Sequence, residues 1–85
     1  MKYTVIWLPA AEAEVARLWV DADVRRLIAA AVDAIDDALR RDPLGVGESR
    51  EGNRRILLIW PLAVNYFVRG ADRIVEVREV WRFDR

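Results

Sequence analysis

Arginines recur along the C-terminal half of this sequence, among them Arg54, Arg55, Arg69, Arg78 and Arg82. A guanidinium group is a planar fork of N–H donors that binds carboxylates and phosphates, and it stays protonated at physiological pH. These side chains are therefore suited to bind or stabilise an anion, and none is suited to act as a general base. The sequence contains no histidine and no cysteine. Catalytic triads, histidine bases, disulfides, and zinc sites built on histidine or cysteine are thus excluded.

Two further groups contain residue types that are found in ligand-binding sites, but their arrangement does not match such a site. Asp33 and Asp37 lie four residues apart on one helix face, but two carboxylates near arginines are typical of a solvated face. The stretch Gly45-Val46-Gly47 lacks the Lys-Ser/Thr pair of a phosphate-binding loop and does not join a strand to a helix. The sequence therefore predicts no metal site and no cofactor.

The composition is typical of one small, soluble domain without overall charge. The chain has 85 residues, in which 14 basic and 14 acidic side chains give a net charge of +0. Since nucleic-acid-binding domains usually carry a basic surplus, only local clustering of arginines would provide such a surface. The longest apolar runs are far shorter than a membrane span, and the N-terminus lacks a signal-peptide core. We expect a single cytoplasmic domain over residues 1–85.

The first half of the chain predicts a strand and two helices. The stretch KYTVIWL (2–8) is β-branched and aromatic, as strands are. Pro9 suits the first turn of a helix, which is predicted over 9–20. Apolar residues spaced three, four and seven apart predict a second, amphipathic helix over 24–41. Asp42-Pro43 ends this helix because the residue before a proline is driven out of the helical region.

The second half predicts three strands joined by short turns. They are RRILLIW (54–60), LAVNYFVR (62–69) and RIVEVREVWRF (73–83). Short connections favour an antiparallel meander. The order β-α-α-β-β-β predicts an α+β domain in which two N-terminal helices pack on one face of a small, mainly antiparallel sheet. The irregular stretch DPLGVGESREGNRR (42–55) then serves as the entrance from the second helix into the sheet.

Strand alternation divides the residues of the meander into two faces. The set expected to face the helices is Arg54, Ile56, Leu58, Trp60, Leu62, Val64, Tyr66, Val68, Val75, Val77, Glu79, Trp81 and Phe83. The set expected to be uncovered is Arg55, Leu57, Ile59, Ala63, Asn65, Phe67, Arg69, Ile74, Glu76, Arg78, Val80 and Arg82. Because the uncovered set mixes arginines with apolar side chains, it predicts a partner with anionic character. The alternative is that a C-terminal segment or a second copy of the chain covers this face.

The large aromatic side chains are expected to form the core. Trp7, Trp19, Trp60 and Trp81 all fall at strand or helix positions that pack. Tyr66 belongs to the helix-facing set, so it is interpreted as a core residue and not as a proton shuttle. These assignments leave arginines as the main functional candidates.

Four stretches of the chain together carry a resemblance to a known family. They are YTVIWLPAAEAEVARLW, the loop DPLGVGESREGNRR, the strand pair RILLIWPLAVNYFV, and VEVREVWR near the end. In this order, they resemble the RelE/ParE superfamily of bacterial type II toxins over essentially the whole chain. The resemblance implies a cognate antitoxin as partner. It also implies one of two targets, messenger RNA in the ribosomal A site or DNA gyrase.

The resemblance further implies which residues would cleave RNA. Members that cut RNA without a metal use basic residues on the second strand, an arginine on the third, another near the end of the fourth, and often a tyrosine or histidine in a C-terminal tail. Arg55, Arg78 and Arg82 match basic positions and are the candidate catalytic residues. The third-strand position falls at Ala63 or Val64, and the last residues include no tyrosine or histidine. The residues expected to bind a partner or target are Arg54, Arg55, Leu57, Asn65, Phe67, Arg69, Arg78 and Arg82.

Three functions stay open at this point. The incomplete catalytic set and the zero net charge favour a toxin that acts on a protein target, or an attenuated toxin. A non-toxic protein-interaction module of the same fold is the second hypothesis. A ribosome-dependent messenger RNA endonuclease is the third.

Overall fold

The two long helices form where the sequence predicts them. In the computed structural model, which describes residues 2–21, 23 and 25–83, α1 spans Pro9–Asp21 and α2 spans Arg25–Arg41. Pro9 occupies the first helical position, where its missing N–H costs no helical hydrogen bond. No helix in the described part of the chain is long and apolar enough to cross a membrane.

Five strands form one mainly antiparallel sheet in the order β1-β5-β4-β3-β2, which confirms the predicted α+β class. The strands are β1 (Thr4–Trp7), β2 (Glu48–Ser49), β3 (Arg54–Ile59), β4 (Leu62–Arg69) and β5 (Ile74–Arg82). The last three are the predicted meander. Since the helices carry the chain across the sheet, β1 pairs with β5 in parallel. The two-residue β2, at the other edge, was not predicted.

The helices cover one face of the sheet, and the hydrophobic core lies between them. On α2, every third or fourth residue is buried, as expected for an amphipathic helix. Trp7 on β1 donates from its indole N–H to a carboxylate oxygen of Asp36 on α2, 3.0 Å away, and this bond ties the edge strand to the helix. The buried core residues are Ala11, Leu18, Ile28, Ala31, Ile35, Leu39, Leu57, Leu62, Val64, Tyr66, Val75, Val77 and Val80.

The hairpin turn between β3 and β4 reverses the face predicted for β3. The turn consists of Trp60-Pro61, so Ile59 lies opposite Leu62, and two residues further back Leu57 lies opposite Val64. Directly opposite residues of an antiparallel pair share a face. Continuous alternation through the turn, which placed Leu57 on the uncovered side, is therefore wrong. Leu57 is 7% exposed and packs in the core.

The other residues of β3 change face with Leu57. Arg55, which was expected on the uncovered side, lies opposite the buried Tyr66 on the helix side. Arg54 and Leu58 were expected to face the helices, and they lie on the far side of the sheet with Ile56. Leu58 is 59% exposed. We call this side, which the helices do not cover, the open face.

A β-bulge in β5 changes the faces of the last residues of that strand. Asn65 lies opposite Glu79, whereas the next residue, Tyr66, lies opposite Val77, so that Arg78 is an extra residue. A bulge of this kind inserts one unpaired residue and shifts the alternation beyond it. Arg78 and Glu79 therefore both lie on the open face.

Beyond the bulge, the predicted faces of β5 are reversed. Val80 was expected to be uncovered, and it is buried in the core opposite Val64. Arg82, two residues further, lies on the helix side of the sheet, where it is exposed at the strand end. Trp81 was expected to face the helices, and it lies on the open face opposite Ala63. The alternation rule failed here because nothing in the strand sequence marks the bulge.

The tryptophans are less buried than predicted. Trp7 packs against the core as expected. Trp19, Trp60 and Trp81 are all exposed by more than a third of their surface, so their assignment to the core is wrong. Trp60 lies in the hairpin turn, Trp81 is carried outward by the bulge, and Trp19 lies on α1 near its C-terminal end. Tyr66, in contrast, is fully buried, as predicted.

The segment between α2 and β3 is more ordered in structure than a flexible connector. It contains a short helix, α3 (Pro43–Val46), the strand β2, and a 3₁₀ turn over Glu51–Asn53. The side chain of Asp42 accepts a hydrogen bond from the N–H of Gly45, 3.2 Å away, and so caps α3. The segment leads into the sheet as predicted, and α3 itself was not foreseen.

Candidate functional site

The open face carries an arginine cluster built around one aromatic ring and one carboxylate. Arg54, Phe67 and Glu76 are consecutive partners across β3, β4 and β5, so they form one row. Arg78 places its guanidinium carbon 3.9 Å from the centre of the Phe67 ring, a close cation–π contact. Arg69 follows two residues after Phe67 on the same face. We call these five residues the arginine cluster.

Glu76 lies at the centre of the arginine cluster. One carboxylate oxygen is 2.8 Å from a guanidinium nitrogen of Arg69, and the other is 2.9 Å from a guanidinium nitrogen of Arg78. Glu76 is only 8% exposed, whereas both arginines are about half exposed. A carboxylate shielded from water is held more firmly by its partners than a carboxylate at the surface. The two arginines are therefore already paired within the protein.

Asn65 lies next to the cluster on the open face and is almost completely buried. Its amide nitrogen donates to a carboxylate oxygen of Glu79, the residue directly opposite. Its amide oxygen is buried without a hydrogen-bond donor among the described residues. Asn65 thus lies on the predicted face, but as a buried residue that fixes Glu79.

One end of the open face is apolar. Leu58, Ala63 and Trp81 are consecutive partners across β3, β4 and β5. Leu58 and Trp81 are exposed, and the small side chain of Ala63 lies buried between them. The row is thus a shallow apolar surface beside the arginine cluster. Sequence reasoning missed it because it assigned Leu58 and Trp81 to the core.

Arg55 is a structural anchor for the segment that follows α2. Its terminal nitrogen donates to the carbonyl oxygens of Leu44 and Gly47, each 2.8 Å away. Its Nε lies 3.4 Å from the hydroxyl of Tyr66, which donates in turn to the carbonyl of Pro43 at 2.6 Å. The guanidinium thereby ties two carbonyl oxygens of this segment to β3.

The three candidate catalytic arginines do not converge on one place. Arg78 lies on the open face and is paired with Glu76. Arg55 lies on the helix side and binds backbone carbonyls. Arg82 lies beyond the bulge, on the helix side at the end of β5. Arg55 and Arg82 lie opposite Tyr66 and Leu62, which are four residues apart along β4, and Arg78 lies on the other face of the sheet.

A second apolar surface lies between the two long helices. It is a groove of about 450 Å³ lined by side chains of β1, α1 and α2, with Trp19 and Val20 prominently exposed. Arg25 covers part of the Trp19 ring, with its guanidinium carbon 4.6 Å from the ring centre. A signal for this groove was present in the sequence, because Leu18, Trp19 and Val20 are consecutive apolar residues, and three in a row span too wide an arc of a helix for all of them to face the core. The lining residues are Trp7, Glu12, Val15, Ala16, Trp19, Val20 and Val32.

Solved structures identify the fold. A chain of a RelBE toxin–antitoxin complex from Mycobacterium tuberculosis is similar over 96% of this chain and 99% of its own length, with a TM-score of 0.79 and 26% sequence identity. The chain belongs to the RelE/ParE superfamily. No protein-family model and no curated protein sequence matches it.

Two more distant structures have the same fold as this RelE/ParE-superfamily chain. One belongs to a chromosomal ParDE toxin–antitoxin system from Pseudomonas aeruginosa, with 16% identity, a TM-score of 0.73 and coverage of 98% of both chains. The other is an archaeal RelE–RelB complex from Pyrococcus horikoshii, with 15% identity, a TM-score of 0.68 and coverage of 100% of this chain and 99% of that one. At these identities, the likeness concerns the fold alone.

Tyr66 makes the stability of this RelE/ParE-superfamily chain sensitive to alkaline pH. Burial raises the pKa of the Tyr66 phenol, and the nearby Arg55 only partly offsets this. A pKa that is higher in the folded than in the unfolded state means that stability is fully present below the unfolded value, about 10 for tyrosine. Stability should therefore fall as the pH rises above about 10 and on through the higher pKa of the folded state.

Urea unfolding followed by tryptophan fluorescence, between about pH 8 and 11, measures this effect. Tyr66→Phe should be less stable at neutral pH by about 1 kcal/mol, because it loses the bond to Pro43. It should also lose less stability than the wild type on going to high pH. An equal alkaline loss in both proteins would show that other groups are responsible.

Proposed function

We propose that this chain is the toxin of a type II toxin–antitoxin system. In this proposal, it acts in the cytoplasm on a macromolecular target, either translation or DNA gyrase, and a cognate antitoxin neutralises it. The observation that carries the proposal is the likeness over almost the whole of both chains to a member of a toxin–antitoxin complex. Further support comes from a second toxin–antitoxin complex with the same fold.

Two exposed apolar surfaces support the proposal that the chain binds a protein partner. The groove between α1 and α2 exposes Trp19 and Val20, and the open face exposes Leu58 and Trp81. Apolar patches of this kind on a small domain usually mark protein–protein contact sites. The groove is lined mainly by apolar side chains, and an apolar groove that receives one face of an amphipathic helix is a common way to recognise a partner segment. We assign the groove to the antitoxin.

The positions of the arginines favour a protein target over RNA cleavage. In-line attack on a phosphate needs several positive groups around one phosphorus atom. Arg55, Arg78 and Arg82 lie at three separate places, and Arg78 is already paired with Glu76. The apolar row on the open face is better suited to a protein surface than to a phosphate backbone. We therefore propose an inhibitor of a protein target such as gyrase, and the endonuclease is the less favoured reading.

Induced expression in a bacterial host tests the proposal. We expect growth arrest, and relief of the arrest when the neighbouring gene is expressed with it. Pulse labelling should show whether DNA synthesis or protein synthesis falls first, and the proposed protein target predicts that DNA synthesis does. Normal growth together with a stable homo-oligomer in light scattering would instead support the non-toxic interaction module.

Two tryptophan substitutions separate the partner surface from the target surface. Trp19→Glu places a charge in the helix groove and should preserve growth arrest while the neighbouring gene no longer relieves it. Trp81→Glu places the same charge on the open face and should abolish arrest. Each tryptophan is partly exposed and lies outside the buried core, so both variants should fold. The assignment of the groove to the antitoxin is wrong if relief is unaffected by Trp19→Glu.

A further inference from the structure

The arginine cluster has the side chains of a surface that binds single-stranded nucleic acid. Such surfaces combine guanidinium groups, which follow the phosphate backbone, with aromatic rings on which bases stack. Arg54, Arg69 and Arg78 surround Phe67 on the open face. Three positive charges around one ring would therefore be expected to attract an RNA strand.

Two contacts within the cluster oppose that use. The carboxylate of Glu76 bridges Arg69 and Arg78 at 2.8 and 2.9 Å, and so takes the place that two phosphate oxygens would occupy. The guanidinium of Arg78 lies over Phe67 at 3.9 Å and covers the ring face that a base would need. Both contacts depend on Glu76, because it holds Arg78 in position.

The burial of Glu76 makes this arrangement persistent. Its side chain is largely shielded from water and cannot swing away from the two arginines. A phosphate that drew the arginines away would leave this carboxylate buried and unpaired, which is strongly unfavourable. Phosphate binding therefore competes with an internal anion that is always present.

We propose that Glu76 is a specificity-determining residue that keeps phosphate backbones off the open face. It acts through Arg69 and Arg78, which it neutralises and positions, and not by touching a ligand. This deepens the proposed function, on which its biological meaning rests, because it names the class of target that the open face excludes. The affinity of the open face for RNA can be measured on the purified protein, whether or not the protein is toxic.

Fluorescence anisotropy with a labelled single-stranded RNA of mixed sequence, about 12 nucleotides long, measures the effect on the purified full chain. Glu76→Gln should bind this RNA about tenfold more tightly than the wild type at low salt. The released arginines add phosphate contacts, so the slope of log affinity against log salt concentration should steepen by about one. Circular dichroism of the same samples shows whether the variant is folded, and a steeper salt slope in a folded variant reports added phosphate contacts.

Two further variants make the test decisive. Glu79→Gln removes one negative charge from the same face, but within the described residues Glu79 bonds Asn65 and no arginine, so the affinity should stay within about twofold of the wild type. Glu76→Asp keeps the charge but is too short to bridge both arginines, so the affinity should rise about threefold. If Glu76→Gln does not fold by circular dichroism, Glu76→Asp decides the question.

The possible outcomes separate the two ideas. Equal gains in Glu76→Gln and Glu79→Gln would show that net charge alone sets the affinity, and the role of Glu76 would be refuted. The same holds if folded Glu76→Asp, or folded Glu76→Gln, binds no better than the wild type. If expression does not arrest growth but Glu76→Gln binds RNA more tightly, the toxin function is overturned and the role of Glu76 stands. If expression arrests growth but Glu76→Gln binds RNA no better than the wild type, the role of Glu76 is overturned and the toxin function stands.

Discussion

Replacing Arg55 with alanine should lower the free energy of unfolding by about 2–4 kcal/mol, since the guanidinium donates to two carbonyl oxygens and lies near a third acceptor. The bonds to Leu44 and Gly47 are each 2.8 Å long and hold the segment after α2 against the sheet. In Arg55→Ala, these carbonyl oxygens can accept hydrogen bonds only from water. Because the site is partly shielded from water, their hydrogen bonds are incompletely replaced. Partial exposure of Arg55 keeps the expected cost within this range.

Arg54→Ala is the matched control. Arg54 is the preceding residue in the same strand, it is exposed, and no carboxylate among the described residues pairs with it. Its replacement should change the free energy of unfolding by no more than about 0.5 kcal/mol. Urea titrations of the wild type and both variants provide the comparison. Equal stabilities for Arg55→Ala and Arg54→Ala would mean that the anchor contributes nothing.

This result also bears on how loss of function in Arg55 variants is interpreted. Arg55 matches a basic position that the family resemblance implies for RNA cleavage, so a loss of toxicity in Arg55→Ala would be taken as evidence of catalysis. In this structure, the same substitution is expected to lower the stability of the fold, so that a smaller fraction of the molecules is folded. Arg55→Lys keeps the charge but has no fork of donors, so it should be intermediate in stability. Activity in these variants has meaning only when compared at equal folded fraction.

The helices and the order of elements were predictable because their signals are local. The apolar residues of α2 recur at helical spacing, and Asp42-Pro43 ends the helix by a steric rule that acts within two residues. The strands of the meander were equally clear, and β4 matches its predicted range. The short elements α3 and β2 escaped prediction because four and two residues are too few to show a period.

The faces of the strands were not predictable because they depend on pairing. A two-residue turn pairs Ile59 with Leu62 and places both on the same face. Each residue of β3 therefore lies on the face opposite to the one that continuous alternation through the turn predicts. The bulge at Arg78 reverses the predicted faces beyond it in β5. Of these two irregularities, only the hairpin turn could be recognised from the sequence. Pro61 cannot donate a hydrogen bond to a neighbouring strand, so it belongs to the turn. The bulge becomes visible only once Asn65 and Glu79 are paired.

The candidate site was therefore predicted in part. Asn65, Phe67, Arg69 and Arg78 lie on the open face as expected. Arg55, Leu57 and Arg82 do not, and Leu57 has a core role. The bridging role of Glu76 was missed for a physical reason: Arg78 follows it by two residues on the same strand, but Arg69 lies on β4 and reaches Glu76 only when β4 and β5 pair. A side-chain network across strands is a property of the register, and the register is set by the turn and the bulge.

Gly47→Ala should destabilise the protein by about 1–3 kcal/mol through steric overlap alone. The backbone at Gly47 has φ −107° and ψ 177°, an extended conformation that alanine adopts without strain. However, a methyl group there would overlap the hydroxyl of Tyr66 and lie 2.9 Å from the carbonyl oxygen of Ile56. Tyr66 cannot move aside easily, because it is fully buried and its hydroxyl donates to Pro43.

Gly70→Ala is the control, since a methyl group there meets nothing within 4 Å. It should leave the free energy of unfolding within about 0.5 kcal/mol of the wild type. A double-mutant cycle then identifies the cause, because Tyr66→Phe removes the hydroxyl that the new methyl group overlaps. Gly47→Ala should cost clearly less in the Tyr66→Phe background than in the wild type, with the contact to Ile56 remaining. An identical cost in both backgrounds would place the strain elsewhere, and the close packing of this segment on Tyr66 would then not explain the need for glycine.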